Sequence, residues 1–302
     1  MGANAIPNTY ITVQDNVFHH NGHNGYRGFQ HNGRVTNMLI QRNVISSGCG
    51  SGVSLIEGMS NSTVTNNYIF NNEKQGIVLF NYLDGQTSIL PFDETRNTIS
   101  NNVIWAGKDE PTWCKDGGNQ AALFEAILWR NAVDPKVWRA SQAHLSGDWV
   151  KPTLANGRIY QALANGTSGT TEPTWQTTIG NKTTDGKISW QNAVIPTLDN
   201  NTITGNQIVT YNGPAFKFYE NAYWNTTIIS NDTIYKTTTN RNYTNVFLTI
   251  NAVNYNWSQF QEKSSTFIGN TNADPGFVAA SITYQDTPNS FNFNIIKGVR
   301  KK

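Results

Sequence analysis

Six times along the chain an apolar or β-branched residue is followed by two variable positions, an asparagine or aspartate, one variable position and another apolar residue. The copies are Val13 to Phe18, Ile40 to Ile45, Val64 to Ile69, Ile99 to Ile104, Ile203 to Ile208 and Ile229 to Ile234. Their fourth positions, Asn16, Asn43, Asn67, Asn102, Asn206 and Asp232, are separated by 27, 24, 35, 104 and 26 residues. Three of these intervals suit one turn of a coil built from short strands; the interval of 35 implies a grown loop and that of 104 an insertion. A second landmark fixes the register. Gly28 to Asn43 and Gly52 to Asn67 are both 15 residues, whereas Gly76 to Asn102 is 26, so the loop after Leu79 has lengthened by 11.

A single coil cannot bury its own apolar face, but coils stacked about 4.8 Å apart share one continuous core. Alternation along the strands then directs Val53, Leu55, Ile77 and Leu79 inward and Ser54 and Val78 outward, with His31 in the inward register. The recurring asparagine falls at a tight turn, where its amide can bond to the asparagines above and below. Asp232 accepts but does not donate when ionised, so the ladder is expected to fray there.

Composition agrees with many short strands joined by turns. About 40 asparagines accompany abundant Thr, Gly and aromatic residues, and long amphipathic helical patterns are missing. The class is all-β. At 14% charged residues and a net charge of +2, no basic stripe suits nucleic acid, and the cluster Lys297, Arg300, Lys301 and Lys302 reads as a solvated tail. No apolar run is long enough to insert in a membrane. Met1 to Pro7 has neither a basic start nor an apolar run, so a fragment or mature product is expected. Cys49 and Cys114 lack a CxxC spacing, and the register sets about two coils between them, which leaves two free thiols as the expected state.

The passage Asn66-Asn67-Tyr68-Ile69-Phe70-Asn71-Asn72 with Gly76-Ile77-Val78-Leu79-Phe80-Asn81 resembles the repeat signature of the right-handed parallel β-helix proteins allied to pectate lyases, a group that includes phage tailspikes. Trp257-Ser258-Gln259-Phe260-Gln261 followed by Ala273-Asp274-Pro275-Gly276-Phe277-Val278 resembles their closing segment. The resemblance implies a right-handed single-stranded parallel β-helix. It also implies an extracellular or virion setting, a polysaccharide or cell-surface glycan as partner, and a trimer if the chain is tailspike-like. Lyase, hydrolase and non-catalytic glycan-binding or structural roles all stay open, because the same fold hosts each.

Between the fourth and fifth repeats the composition changes. Residues 136–194 carry Gly147-Asp148, Asn156-Gly157 and Asp185-Gly186 pairs between short aromatic-rich strands, the signature of hairpins. The chain therefore divides into coils over 1–135, a small inserted β module over 136–194, and coils with a closing segment over 195–302. The insert resembles small phage-tail modules and, more faintly, chitinase-type carbohydrate-binding modules. Aromatic faces suit the C–H faces of sugar rings. Trp138 and Trp175, beside turn and proline residues, are expected to be exposed and, with Tyr160, to form the sugar-binding set. Core packing is the competing role for Trp149, Tyr160 and Trp190.

No nucleophile elbow, zinc-protease, phosphate-loop or EF-hand motif occurs. No cofactor is expected. Calcium is the one ion the resemblance leaves open, although the dense acidic clusters of many pectate lyases are not evident. The register brings Arg34 and Glu57 to one edge of adjacent coils, with Asp84, Asp93 and Glu94 in the grown loop of the next. Glu57 and Asp84 are the expected acid–base or nucleophile pair at a glycosidic bond. Arg34 or Arg27 would neutralise a uronate. A solvated Arg34–Glu57 ion pair is the competing reading. His19, His20 and His23 have no spacing that establishes a metal site, and His31 is expected inside.

Overall fold

The computed structural model describes residues 8–19, 29–32, 35–46, 48, 50–56, 58–72, 74–81, 95–106, 127–131, 135–178, 180–194, 200–210, 213–218, 227–236, 245–250, 253–263 and 267–275. The predicted coils form and run through three long sheets, while Asn8–Thr9, Val35–Thr36 and Met59–Ser60 of the first three coils add a short parallel sheet of their own. The first sheet stacks Thr12–Gln14, Leu39–Gln41, Thr63–Thr65, Thr98–Ser100, Thr202–Thr204, Ile228–Ser230 and Phe267–Ile268, all parallel. The second stacks Val17–His19, Val44–Ser46, Tyr68–Asn72, Val103–Ala106, Gln207–Thr210, Thr233–Lys236 and Thr271–Asn272 in the same way. In the third, Phe29–Asn32, Val53–Ile56, Ile77–Asn81, Ile127–Asn131, Phe216–Phe218 and Leu248–Ile250 are parallel, and Val253–Tyr255 folds back antiparallel on the last.

The repeat's apolar positions become columns. Ile40, Val64, Ile99, Ile203 and Ile229 form one and Ile45, Ile69, Ile104, Ile208 and Ile234 another, all without solvent exposure. Burying each such side chain favours folding by roughly 1.5–3 kcal/mol. β-branched residues suit these positions because a strand restricts a side chain that is already stiff. Val53, Leu55, Ile77 and Leu79 point inward as expected. His31 pairs with Leu55 and is half-buried. The alternation turns Ser54 and Val78 away from that core, yet both are buried, so the outer face of the third sheet is not a solvent face at these positions.

Between the first and second sheets the chain turns in two residues, and the residue before each ladder position adopts a left-handed conformation. These are Asp15, Arg42, Asn66, Asn101, Gly205 and Asn231, with φ of 57°, 53°, 56°, 53°, 66° and 55°. Asn and Asp tolerate this region better than other side chains. The tight turn aims the next side chain into the stack. There each asparagine donates through both its main chain and its amide to the Oδ1 of the residue one coil on. The amide links run Asn16 to Asn43, Asn43 to Asn67, Asn67 to Asn102, Asn102 to Asn206 and Asn206 to Asp232, at 2.9–3.1 Å.

Five residues upstream lies a second, mixed ladder that the repeat pattern does not announce. Met38 N–H donates to Ser62 Oγ, Ser62 N–H to Asn97 Oδ1, and Asn97 N–H to Asn201 Oδ1. Its residues vary too much to appear as a motif, although the function is the same.

At the far end, Trp257–Lys263 forms a short α-helix. Asn256 caps it: Gln259 N–H donates to Asn256 Oδ1, and Asn256 N–H donates back to Gln259 Oε1. The helix delivers Phe260, fully buried, onto Phe216 and Phe267. This segment packs Trp257 and Phe260 against the core beneath the last described strands.

The 104-residue interval is bridged without loss of register, because Ile99 pairs directly with Ile203. The intervening residues include a separate five-stranded sheet of Lys136–Val137, Trp149–Lys151, Arg158–Ala162, Ile188–Val194 and Lys182–Asp185. Another pair joins Ala143–His144 to Gly166–Thr167. None of these strands pairs with the coil sheets. Cys49, Cys114 and the basic tail lie outside the described residues.

Candidate functional site

Arg34, Glu57 and Asp84, with Arg27, Asp93 and Glu94, lie outside the described residues, as do His20 and His23. The aromatic residues of the 136–194 segment can be followed in full. Gly157, with φ of 73°, turns the strand Trp149–Lys151 back onto Arg158–Ala162, and Gly186, with φ of 57°, turns Lys182–Asp185 onto Ile188–Val194. These antiparallel strands bury Val150, Tyr160, Ala162, Ile188 and Trp190 in one small core, with Trp175 packed against it and half-buried.

Trp138 corrects the expectation of exposure. Its ring is 9% exposed, and its indole N–H donates to Asp185 Oδ2 at 2.8 Å. Trp190 donates to the same oxygen at 3.0 Å, and Gly169 N–H donates to Oδ1 at 2.6 Å. Asp185 is itself buried. A buried carboxylate needs such donors to offset its lost hydration, and an indole buried beside one gains an acceptor. This three-donor node was hidden in the sequence, where Asp185-Gly186 reads only as a turn.

Tyr160 also presents no face to solvent. Its ring is fully buried, and its hydroxyl donates to the Gln176 carbonyl at 3.0 Å while accepting from Asn156 Nδ2 at 2.9 Å. Burial raises the Tyr160 pKa above its ordinary value, offset in part by the Asn156 bond and the nearby Arg158 charge. Of the three expected sugar-binding residues, Tyr160 therefore acts as a floor and Trp138 as a core residue.

Trp175 differs. It lies on Tyr160 with ring centroids 4.2 Å apart and a tilt of 34°, and it meets Trp190 edge-on at 6.2 Å. Its indole N–H donates to Glu172 Oε1 at 2.9 Å, and Thr153 N–H donates to the same oxygen at 2.9 Å. Burial pushes the Glu172 carboxyl up, but these bonds outweigh it and hold the group below the usual glutamate range. The segment after Trp175 is tied down as well. Gln176 N–H donates to Thr183 Oγ1, Asn192 Nδ2 donates to the Gln176 carbonyl, and Arg158 Nε donates to the Thr177 carbonyl. A partly buried indole is thus fixed in orientation, with a carboxylate at its rim.

Among the described residues no group of three His, Cys, Asp or Glu gathers to hold a metal ion. No helix among them is long and apolar enough to cross a membrane. A family model described as a right handed beta helix region matches residues 2–132. That span holds the first four repeats, whose parallel registers continue beyond it to Asn272. The chain is a right-handed parallel β-helix. No curated protein matches it. In this β-helix the repeats make the scaffold, and of the three expected sugar-binding residues Trp175 alone is more than marginally exposed.

Proposed function

We propose that this β-helix is an extracellular or virion-associated protein that engages polysaccharide, with Trp175 as a stacking platform for one sugar ring. The observation that carries the reading is the fixed, partly exposed indole on Tyr160, with Glu172 bonded at its edge. A flat apolar face with a polar rim matches a pyranose, which presents C–H bonds on one face and hydroxyls at its edge. Because the ring is already oriented, little conformational freedom is lost on binding. The resemblance of residues 136–194 to small phage-tail modules and, more faintly, to chitinase-type carbohydrate-binding modules supports the same reading.

The test is affinity electrophoresis through gels containing acidic and neutral polysaccharides. The wild type is expected to be retarded in at least one gel, and Trp175→Ala to lose most of that retardation at a temperature where circular dichroism shows both proteins folded, since the lost packing on Tyr160 also lowers its thermal midpoint. Equal retardation of the two proteins in every gel would refute the assignment.

In the catalytic form of this proposal, Glu57 and Asp84 are the carboxylates at a glycosidic bond and Arg34 pairs an acidic sugar. Polysaccharide would then yield new reducing ends, or unsaturated products if the enzyme is a lyase, and Glu57→Gln would abolish both. The ladder that runs from Asn16 to Asp232 also suits a rigid stalk. A trimer that binds glycan without turnover would favour that structural role.

A further inference from the structure

The asparagine ladder has a second strict rule besides its coil-to-coil link. From Asn43 onward each amide also donates to the main-chain carbonyl of the residue three before the preceding ladder position. Asn43 donates to Val13, Asn67 to Ile40, Asn102 to Val64 and Asn206 to Ile99. Beyond Asp232 the rule resumes, with Asn270 donating to Ile229 at 2.8 Å. At Asp232 alone the amide nitrogen is replaced by oxygen. Its Oδ1 keeps the ladder role and accepts Asn206 N–H at 2.7 Å and Asn206 Nδ2 at 2.9 Å. Its Oδ2 is buried and receives no hydrogen bond.

The register sets that second oxygen where its neighbours carry N–H groups. Its counterparts would be the Ile203 carbonyl and Asn270 Oδ1, and both are acceptors. Asn270 Oδ1 already takes the Asp232 main-chain N–H at 2.8 Å. An ionised carboxylate would therefore face two lone-pair-bearing oxygens inside a buried turn, which is unfavourable. A protonated carboxyl would instead supply one of the two donors that an asparagine amide brings to this position.

We propose that Asp232 is a proton-binding site of the folded stack, its carboxyl O–H taking the place of the missing amide N–H and fastening the last coils in acid. Burial supports this by pushing the carboxyl up to about 7, while the two bonds from Asn206 pull the other way. No charged side chain contributes to that shift. The groups that face Asp232 from the coil before are the Asn206 amide and, by register, the Ile203 carbonyl; from the coil after, it is the Asn270 amide. On its own strand the titratable neighbours are Tyr235 and Lys236, and Lys236 Nζ is committed to the Gly213 carbonyl at 2.8 Å. The ladder is therefore not broken at Asp232; it is made conditional on pH.

The sign follows from proton linkage. The folded state holds the proton more tightly than the unfolded chain, whose aspartate has a value near 3.8. The contribution to stability is full below that value, declines as pH rises, and is gone above the folded value near 7. Asp232→Asn restores the donor permanently. The ratio of its folding constant to that of the wild type should therefore climb by up to about tenfold per pH unit between pH 4 and 7, then level off.

The experiment is urea denaturation of both full-length proteins at pH 4, 5, 6, 7 and 8. It is paired with hydrogen exchange at the amides of Asn206, Asp232 and Thr271, and infrared detection of the protonated carboxyl. The proposal expects diverging stabilities, exchange that rises above that of the variant only as pH approaches neutrality, and a carboxylic-acid band absent from Asp232→Asn. Parallel stability curves from pH 4 to 8, or loss of the wild-type acid band below pH 5, would overturn it. If the variant were to fold poorly, the wild-type infrared titration alone would decide.

Discussion

Asn67 donates to Asn102 Oδ1 twice, from its main-chain nitrogen at 3.0 Å and from its amide at 2.9 Å. The same amide also donates to the Ile40 and Thr65 carbonyls, and the residue has no solvent exposure. Asn67 Oδ1 in turn takes both donors of Asn43. One side chain thus serves the coils on both sides. Replacing Asn67 with Leu would leave buried donors and acceptors without partners, at a cost of about 1–3 kcal/mol. A urea midpoint that did not move would rule out the ladder as a source of stability.

Asp185 holds the 136–194 segment together through three donors from Trp138, Trp190 and Gly169. Asp185→Ala should cost at least about 3 kcal/mol, since each stranded donor is worth about 1–3. Asp185→Asn keeps acceptors and should cost less. Tryptophan fluorescence during denaturation reports this directly, because two of the donors are indoles.

Glu172 fixes the orientation of the Trp175 ring, so Glu172→Ala should weaken glycan retardation several-fold and shift Trp emission to the red. Its carboxyl lies below the ordinary value of 4.5. The bonds favour folding above that value and are lost only as pH falls through the lower, folded one. The wild-type emission should therefore hold steady on acidification to about 4.5 and change only below it. A change already complete at pH 5.5 would contradict the hydrogen-bonded assignment.

Replacing residues 136–194 with a short flexible linker should leave the coils folded, because each coil is supported mainly by its neighbours. The Ile99–Ile203 pairing already spans that interval. Circular dichroism and solubility of the shortened protein are the measurements. Insoluble or unfolded product would mean that the segment supports the coils.

The coils were legible in the amino-acid order. Their register repeats the same local demand, an apolar residue inward and an asparagine after a left-handed turn, and each repetition confirms the one before. Ile99 could be matched to Ile203 across 104 residues for that reason. The second ladder stayed hidden because Met38, Ser62, Asn97 and Asn201 share a position but not a residue type. Tertiary structure alone decided the aromatic residues. Nothing beside Trp138 says that it is buried, since its acceptor, Asp185, is 47 residues away. Trp175 is set apart only by the strands that carry Tyr160 and Trp190 beneath it. A repeated pattern states its partners in its own period, whereas a ring in a segment without repeats acquires its role from whichever distant group the fold brings to it.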